Sequence, residues 1–217
     1  MMKIFVKADE KDIVNSVRVG DIALDEEIDL GNATQKMLER CYIGRNLYDF
    51  VKTHDFGQGP VPAHQHPNGG GWVANTATVA ETAYIGPDAR VFGQARVFTN
   101  AHVSGEARVS GQARVSGNSQ VSGQAQVSEY ARVAGNARVS GNARVSGNAR
   151  VSGNARVSGN ARVSGKASVS GDARIDDNVE VTGNTSITGA SHFFGECYIE
   201  AGQYRDTISS SCYVEIP

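Results

Sequence analysis

The 217-residue chain is short of cysteine, has no long apolar run and carries almost no net charge. Each shortage excludes something. The three cysteines, Cys41, Cys197 and Cys212, are odd in number and form no C-x-x-C pair, so neither a disulfide framework nor a zinc knuckle is signalled. Cys197 reads as a core residue. The opening stretch, MMKIFVKADEK, holds no apolar run of signal length, and no segment could span a bilayer. The expectation is a cytoplasmic protein with no membrane partner. The formal net charge of -2 excludes little, because it hides an asymmetry. Residues 1–72 hold eleven acids against eight Lys and Arg, whereas residues 89–168 hold ten Arg and Lys166 against only Glu106 and Glu129.

What is present is a period. From Val73 to Ile199 an aliphatic or aromatic residue falls at every sixth position, and a small residue follows nearly every one by four. Residues 139–144, 145–150, 151–156 and 157–162 are the identical string VSGNAR. A fixed short period marks a repeat architecture. Six is even, so a strand keeps its in/out phase from one repeat to the next. Taking Ala-Arg-Val-Ser as the strand, alanine and valine face inward, arginine and serine outward. Gly-Asn then makes the corner, since both tolerate positive φ. So short a strand can stack only on an equivalent one a coil later, at about 4.8 Å. The 25 glycines therefore belong to turns, not to disorder.

The pattern V-S-G-N-A-R over residues 73–203 resembles the hexapeptide-repeat, left-handed β-helix family. The resemblance implies a mainly β fold: a triangular prism with three hexapeptides to a coil, left-handed, trimeric, and about seven coils or roughly 34 Å long. The near-identical copies are similar to those of phage and prophage hexapeptide-repeat proteins, which would place the chain in a host cytoplasm. Around this prism the sequence divides into a small α/β head (1–57), a Pro/Gly linker (58–71), the β-helix (72–203) and a C-terminal cap (204–217). In the head, Lys3–Lys7 reads as a strand, Asn32 with Gln35 as a helix start, and Leu47 to Val51 as a second short helix.

Function has to lie in departures from the repeat. Eighteen-residue spacing sorts the outward arginines into three columns: Arg96, Arg114, Arg132, Arg150; Arg138, Arg156, Arg174; and Arg90, Arg108, Gln126, Arg144, Arg162. These columns read as a solvated face of a duplicated repeat, as a basic surface for a phosphate-bearing partner, or as a subunit contact. Phe92 and Phe98 replace the outward serine, each beside an arginine, Arg90 or Arg96. His102 takes an arginine slot one coil above Tyr84. Arg90, Phe92, Arg96, Phe98, His102, Arg108 and Tyr84 are the candidate ligand-binding residues, a combination of stacking and charge that suits a nucleotide. Packing beneath the head or in an oligomer competes with that reading. Glu129 and Tyr130 break a Gly-Asn corner and mark a second patch, read as a subunit contact.

Three function classes follow. The first is a non-enzymatic homotrimeric binder, or sponge, for an anionic small molecule or nucleotide, without a cofactor; a polyanion or nucleic acid is less favoured. The second, implied by the family resemblance, is an acyl-CoA-dependent acyltransferase with His102 as general base. The absence of any loop between 73 and 199, and of a C-terminal helix, counts against it. The third is a rigid spacer. His64 and His66 offer two metal ligands, but from the linker, and no metal site is expected there.

Overall fold

The computed structural model describes residues 4–8, 14–19 and 52–213, and the chain divides into two compact units, Met1–Phe50 and Val51–Pro217. In the first unit, strand β1 (Ile4–Ala8) pairs antiparallel with β2 (Val14–Val19). The expected helix at Asn32 and Gln35 and the one over Leu47 to Val51 lie outside the described residues, as does Cys41.

The second unit is a parallel β-solenoid. It opens with β3 (Thr53–Asp55) and β4 (Pro60–Gln65), an antiparallel hairpin, and β4 pairs antiparallel with β5 (Trp72–Ala74). The stretch expected as a linker over 58–71 thus contains a strand joined to the first coil, and the boundary between units falls at Phe50 and Val51 rather than after residue 57. Strands β6 to β23 follow at six-residue intervals from Thr78–Val79 to Glu180–Val181, two residues each. The solenoid closes with β24 (Ser186–Thr188), β25 (His192–Ile199), β26 (Gln203–Arg205) and β27 (Ile208–Tyr213).

Each repeat strand pairs in parallel with the one eighteen residues on, so three hexads make one turn: Arg96 pairs with Arg114, His102 with Gln120, and Arg108 with Gln126. The solenoid makes about eight turns, against the seven expected. The period does not stop at residue 203 but tightens: Ser186 meets Gln203 and His192 meets Ile208, so the last turn is shorter yet still paired. Among the described residues there is no helix, and none is long and apolar enough to cross a membrane.

The regular strands are two residues long, not four, yet the axial hydrogen bonds continue through the corners. Arg132 N–H donates to Ala149 O at 2.9 Å, Ala134 N–H to Val151 O at 2.9 Å, and Asn136 N–H to Gly153 O at 2.8 Å. Valine and alanine fill the interior, and nearly all from Val73 to Ile199 are wholly buried. Each buried valine contributes about 1.5–3 kcal/mol before entropy is counted. Where the small slot holds Ser119, Thr185 or Ser191, the buried hydroxyl donates to the carbonyl three residues back, at 2.7–2.8 Å. No polar group is orphaned by those exchanges.

Only glycine takes the left-handed conformation at a regular corner; the following asparagine does not, contrary to the sequence reading. At Gly141, φ is 67° and a Cβ would lie 2.8 Å from the carbonyl oxygen of Gly159 on the next coil, so conformation and space both demand glycine. Asparagine instead builds amide ladders along the prism edges. Asn136 donates to Asn154 at 3.1 Å, Asn154 to Asp172 at 2.9 Å, Asn142 to Asn160 at 3.0 Å and Asn160 to Asn178 at 3.1 Å.

Candidate functional site

At the N-terminal end the hairpin lies over the first coil. Phe56 stacks on Phe92 with ring centroids 5.0 Å apart, and His54 stacks on Trp72 at 4.5 Å. Phe92 is therefore half-buried in the closure of the solenoid and does not present a free stacking face. Burial, then the charge of Arg90, hold the His54 imidazole below its ordinary 6.5, with Asp55 acting in the opposite direction. Its Nε2 is buried and has no hydrogen-bond partner. Near pH 6.5 the folded state binds fewer protons here than the unfolded chain. The stability supplied by the neutral ring is present above that pH and is lost as pH falls through the lowered folded value. The protection of the β3 and β4 amides, after correction for the intrinsic pH dependence of hydrogen exchange, is expected to fall between pH 7.5 and about 5. His54→Phe keeps the stacking and should flatten that profile; an unchanged profile would assign the pH response to another group.

The remaining candidates fall on three separate faces. Arg90, Phe92 and Arg108 lie on the first, Arg96 and Phe98 on the second, Tyr84 and His102 on the third. They do not converge within one chain. His102 stacks on Tyr84, as the column assignment requires, at 4.3 Å and 10° between planes. Among the described residues it has no hydrogen-bond partner to orient it as a general base. Phe98 is half-buried and follows Arg96 on the second face, the two flanking the inward Val97.

The arginine columns stand in the register that the eighteen-residue spacing predicts. On the second face Arg96, Arg114, Arg132 and Arg150 are consecutive partners and all exposed. The ion pairs among the described residues are His192 with Asp176 and Arg205 with Asp206, so no carboxylate of the described residues pairs with this ladder. Neighbouring guanidiniums about 4.8 Å apart repel by about 0.9 kcal/mol even at the dielectric constant of water. Four stacked forks without an acceptor form a surface that gains from a polyvalent anion.

The patch at Glu129 and Tyr130 has a local cause. Glu129 occupies a glycine slot with φ of 59°, and its Oε2 accepts from Gly147 N–H at 2.7 Å. Asp177 does the same at φ of 56° with Gly195 N–H at 2.9 Å. In each case a charge-assisted hydrogen bond offsets the left-handed backbone. Tyr130 remains 56% exposed.

Two features escaped the sequence reading. Ser158 Oγ donates to Asp176 Oδ1, and Asp176 Oδ2 lies 2.9 Å from His192 Nε2. Cys197 is buried, as expected, but it is also disulfide-bonded, and the residue opposite it on β27 is Cys212. Such bonds persist mainly in oxidising compartments, which weighs against the cytoplasmic expectation. His64 and His66 are taken up by the first turn: His64 Nδ1 lies 2.9 Å from Asn75 Oδ1, and His66 Nδ1 lies 3.3 Å from Asn68 N. No group of three His, Cys, Asp or Glu among the described residues is placed to hold a metal ion.

Residues 107–123, 137–153, 143–157 and 155–171 match the YdcK β-solenoid repeat family. The chain is a parallel β-solenoid repeat protein. No curated protein and no solved structure matches it. The repeat match falls within the part of the solenoid that carries the arginine columns. It bears on the architecture and not on a ligand.

Proposed function

We propose that the solenoid is a non-enzymatic binder of a phosphate-bearing ligand of the nucleotide class, held on its second face. The observation that carries this reading is the in-register, unneutralised ladder from Arg96 to Arg150. Phe98, two residues from Arg96 on the same strand face, supplies a ring for a base about 7 Å from the first guanidinium. The phosphates then run along Arg96, Arg114 and Arg132. In a homotrimer, the assembly that the hexapeptide resemblance implies, a second chain would wall this face; a phage origin belongs to the same proposal, whereas the disulfide at Cys197 stands against a host-cytoplasmic location. The acyltransferase alternative rests on that resemblance alone, and His102 has no orienting partner to support it.

Calorimetry against linear and cyclic nucleotides, with inorganic tripolyphosphate as a control lacking a base, tests the reading. Binding should be micromolar to submillimolar, weaken steeply with salt, and be tighter for nucleotides than for tripolyphosphate. Absence of binding by every member below the millimolar range rejects it. The uniform copies at 139–162, which carry no departure from the repeat, would then favour the rigid spacer.

A further inference from the structure

On the third face the repeat changes character near its C-terminal end. The arginine column Arg138, Arg156, Arg174 ends in His192, and the outward serine column ends in Asp176 at the position one coil above Ser158. We propose that His192, Arg174 and Arg156 form a second binding site, for a phosphoryl group, with Asp176 as its positioning residue. This site is separate from the second-face ladder and does not depend on it.

The argument starts from the carboxylate. Asp176 Oδ1 accepts from Ser158 Oγ, and Oδ2 holds His192 Nε2 at 2.9 Å, so both oxygens are engaged within the protein. Neither is drawn to the neighbouring guanidiniums: no ion pair links Asp176 to Arg174 or Arg156. The ring of His192 is held from a second side by Phe194, at a centroid distance of 4.9 Å. With Nε2 committed, Nδ1 is the nitrogen left for a ligand. Arg174 is the in-register neighbour of His192, and Arg156 that of Arg174. Three donor-bearing side chains therefore stand in one row, spaced about 4.8 Å apart. Guanidinium offers only donors, and a protonated imidazole does the same, which matches the three acceptor oxygens of a phosphoryl group. The acids nearby are otherwise occupied or on other faces. Asp172, two residues before Arg174, accepts from Asn154 along the edge, Asp177 binds Gly195 N–H at the corner, Glu180 lies on the first face, and Glu196 is exposed at the edge beyond Gly195. Phe194, half-buried beside the row, gives an apolar wall that free phosphate cannot use but an ester can.

The experiment uses the full chain at low salt and pH 6, titrated with inorganic phosphate and with phenyl phosphate, and follows heat and the His192 imidazole resonances. Both probes should bind and shift those resonances. Equal affinities show that the site reads the phosphoryl group alone, tighter inorganic phosphate identifies the free ion, and tighter phenyl phosphate identifies a monoester packed on Phe194. Arg174→Ala, at an exposed position, and His192→Gln should each weaken binding about tenfold or more. Asp176→Asn should weaken it by a similar factor, whereas a purely structural contact would lower the melting temperature and leave phosphate affinity intact. Arg144→Ala on the first face, outside both proposed sites, should leave it unchanged. No binding by either probe, or an Arg144→Ala effect as large as that of Arg174→Ala, overturns the proposal.

Discussion

Replacing both Arg114 and Arg132 with alanine is expected to weaken nucleotide binding by about 10²- to 10⁴-fold, if each guanidinium makes one charge-assisted contact of about 1.5–3 kcal/mol. The two are consecutive rungs on the second face, so the lower end is favoured if they share one phosphate. The same double change should not unfold the solenoid. Both side chains are exposed, and removing neighbouring like charges relieves repulsion of about 0.9 kcal/mol per adjacent pair. The expected signature is lost affinity with an unchanged or raised melting temperature. The control is Arg144→Ala with Arg162→Ala, an equally adjacent and exposed pair on the first face. Equal loss in that control would mean that the ligand responds to the net charge of the prism rather than to one ladder, and the second-face site would fall.

The architecture was legible because the period is even and fixed. Every arginine column read at eighteen-residue spacing appears as a row of backbone partners, from Arg96 with Arg114 to Arg156 with Arg174. The stack of Tyr84 on His102 follows from the same arithmetic. The hairpin was not legible, because Pro60 and Pro62 flank Val61 in a stretch that reads as turn chemistry. In the fold they sit in a strand whose partners run antiparallel to the solenoid direction. Packing beneath the head was one of the two readings open for Phe92, and the partner that decides between them, Phe56, lies on that hairpin.

The asparagine ladders were missed because local backbone chemistry explains asparagine at a turn without reference to any other coil. Their hydrogen bonds run between residues eighteen apart, such as Asn142 and Asn160. The clue was that the edge repeats asparagine where aspartate or serine would turn as well; identical amides can be both donor and acceptor in a row. The link between Asp176 and His192 spans sixteen residues and crosses from the serine column to the arginine column. A reading confined to single columns could not see it. The signal that was available is the run Asp176-Asp177-Asn178 in place of Ser-Gly-Asn.

Val151→Asp is expected to produce the largest loss of stability. Val151 is wholly buried between Val133 and Val169 in the second-face interior column. Its surroundings are valine and alanine, with no donor for a carboxylate, so a charged aspartate there costs several kcal/mol and a neutral one still leaves an unsatisfied hydroxyl. The prism cannot relax by collapsing, because axial hydrogen bonds such as Ala134 N–H to Val151 O fix the coil spacing. A solenoid is quasi-one-dimensional, and each coil contacts only its neighbours. Damage at residue 151 should therefore open the adjacent coils first. Hydrogen exchange should show protection lost over roughly residues 132–170 while the coil around Ile85 and Val91 stays protected, and Val151→Thr, close in shape, should do much less. Uniform loss along the whole solenoid would show instead that its coils fold as one cooperative unit. In that case local departures such as Asp176 and His192 could not be varied without cost to the second-face ladder.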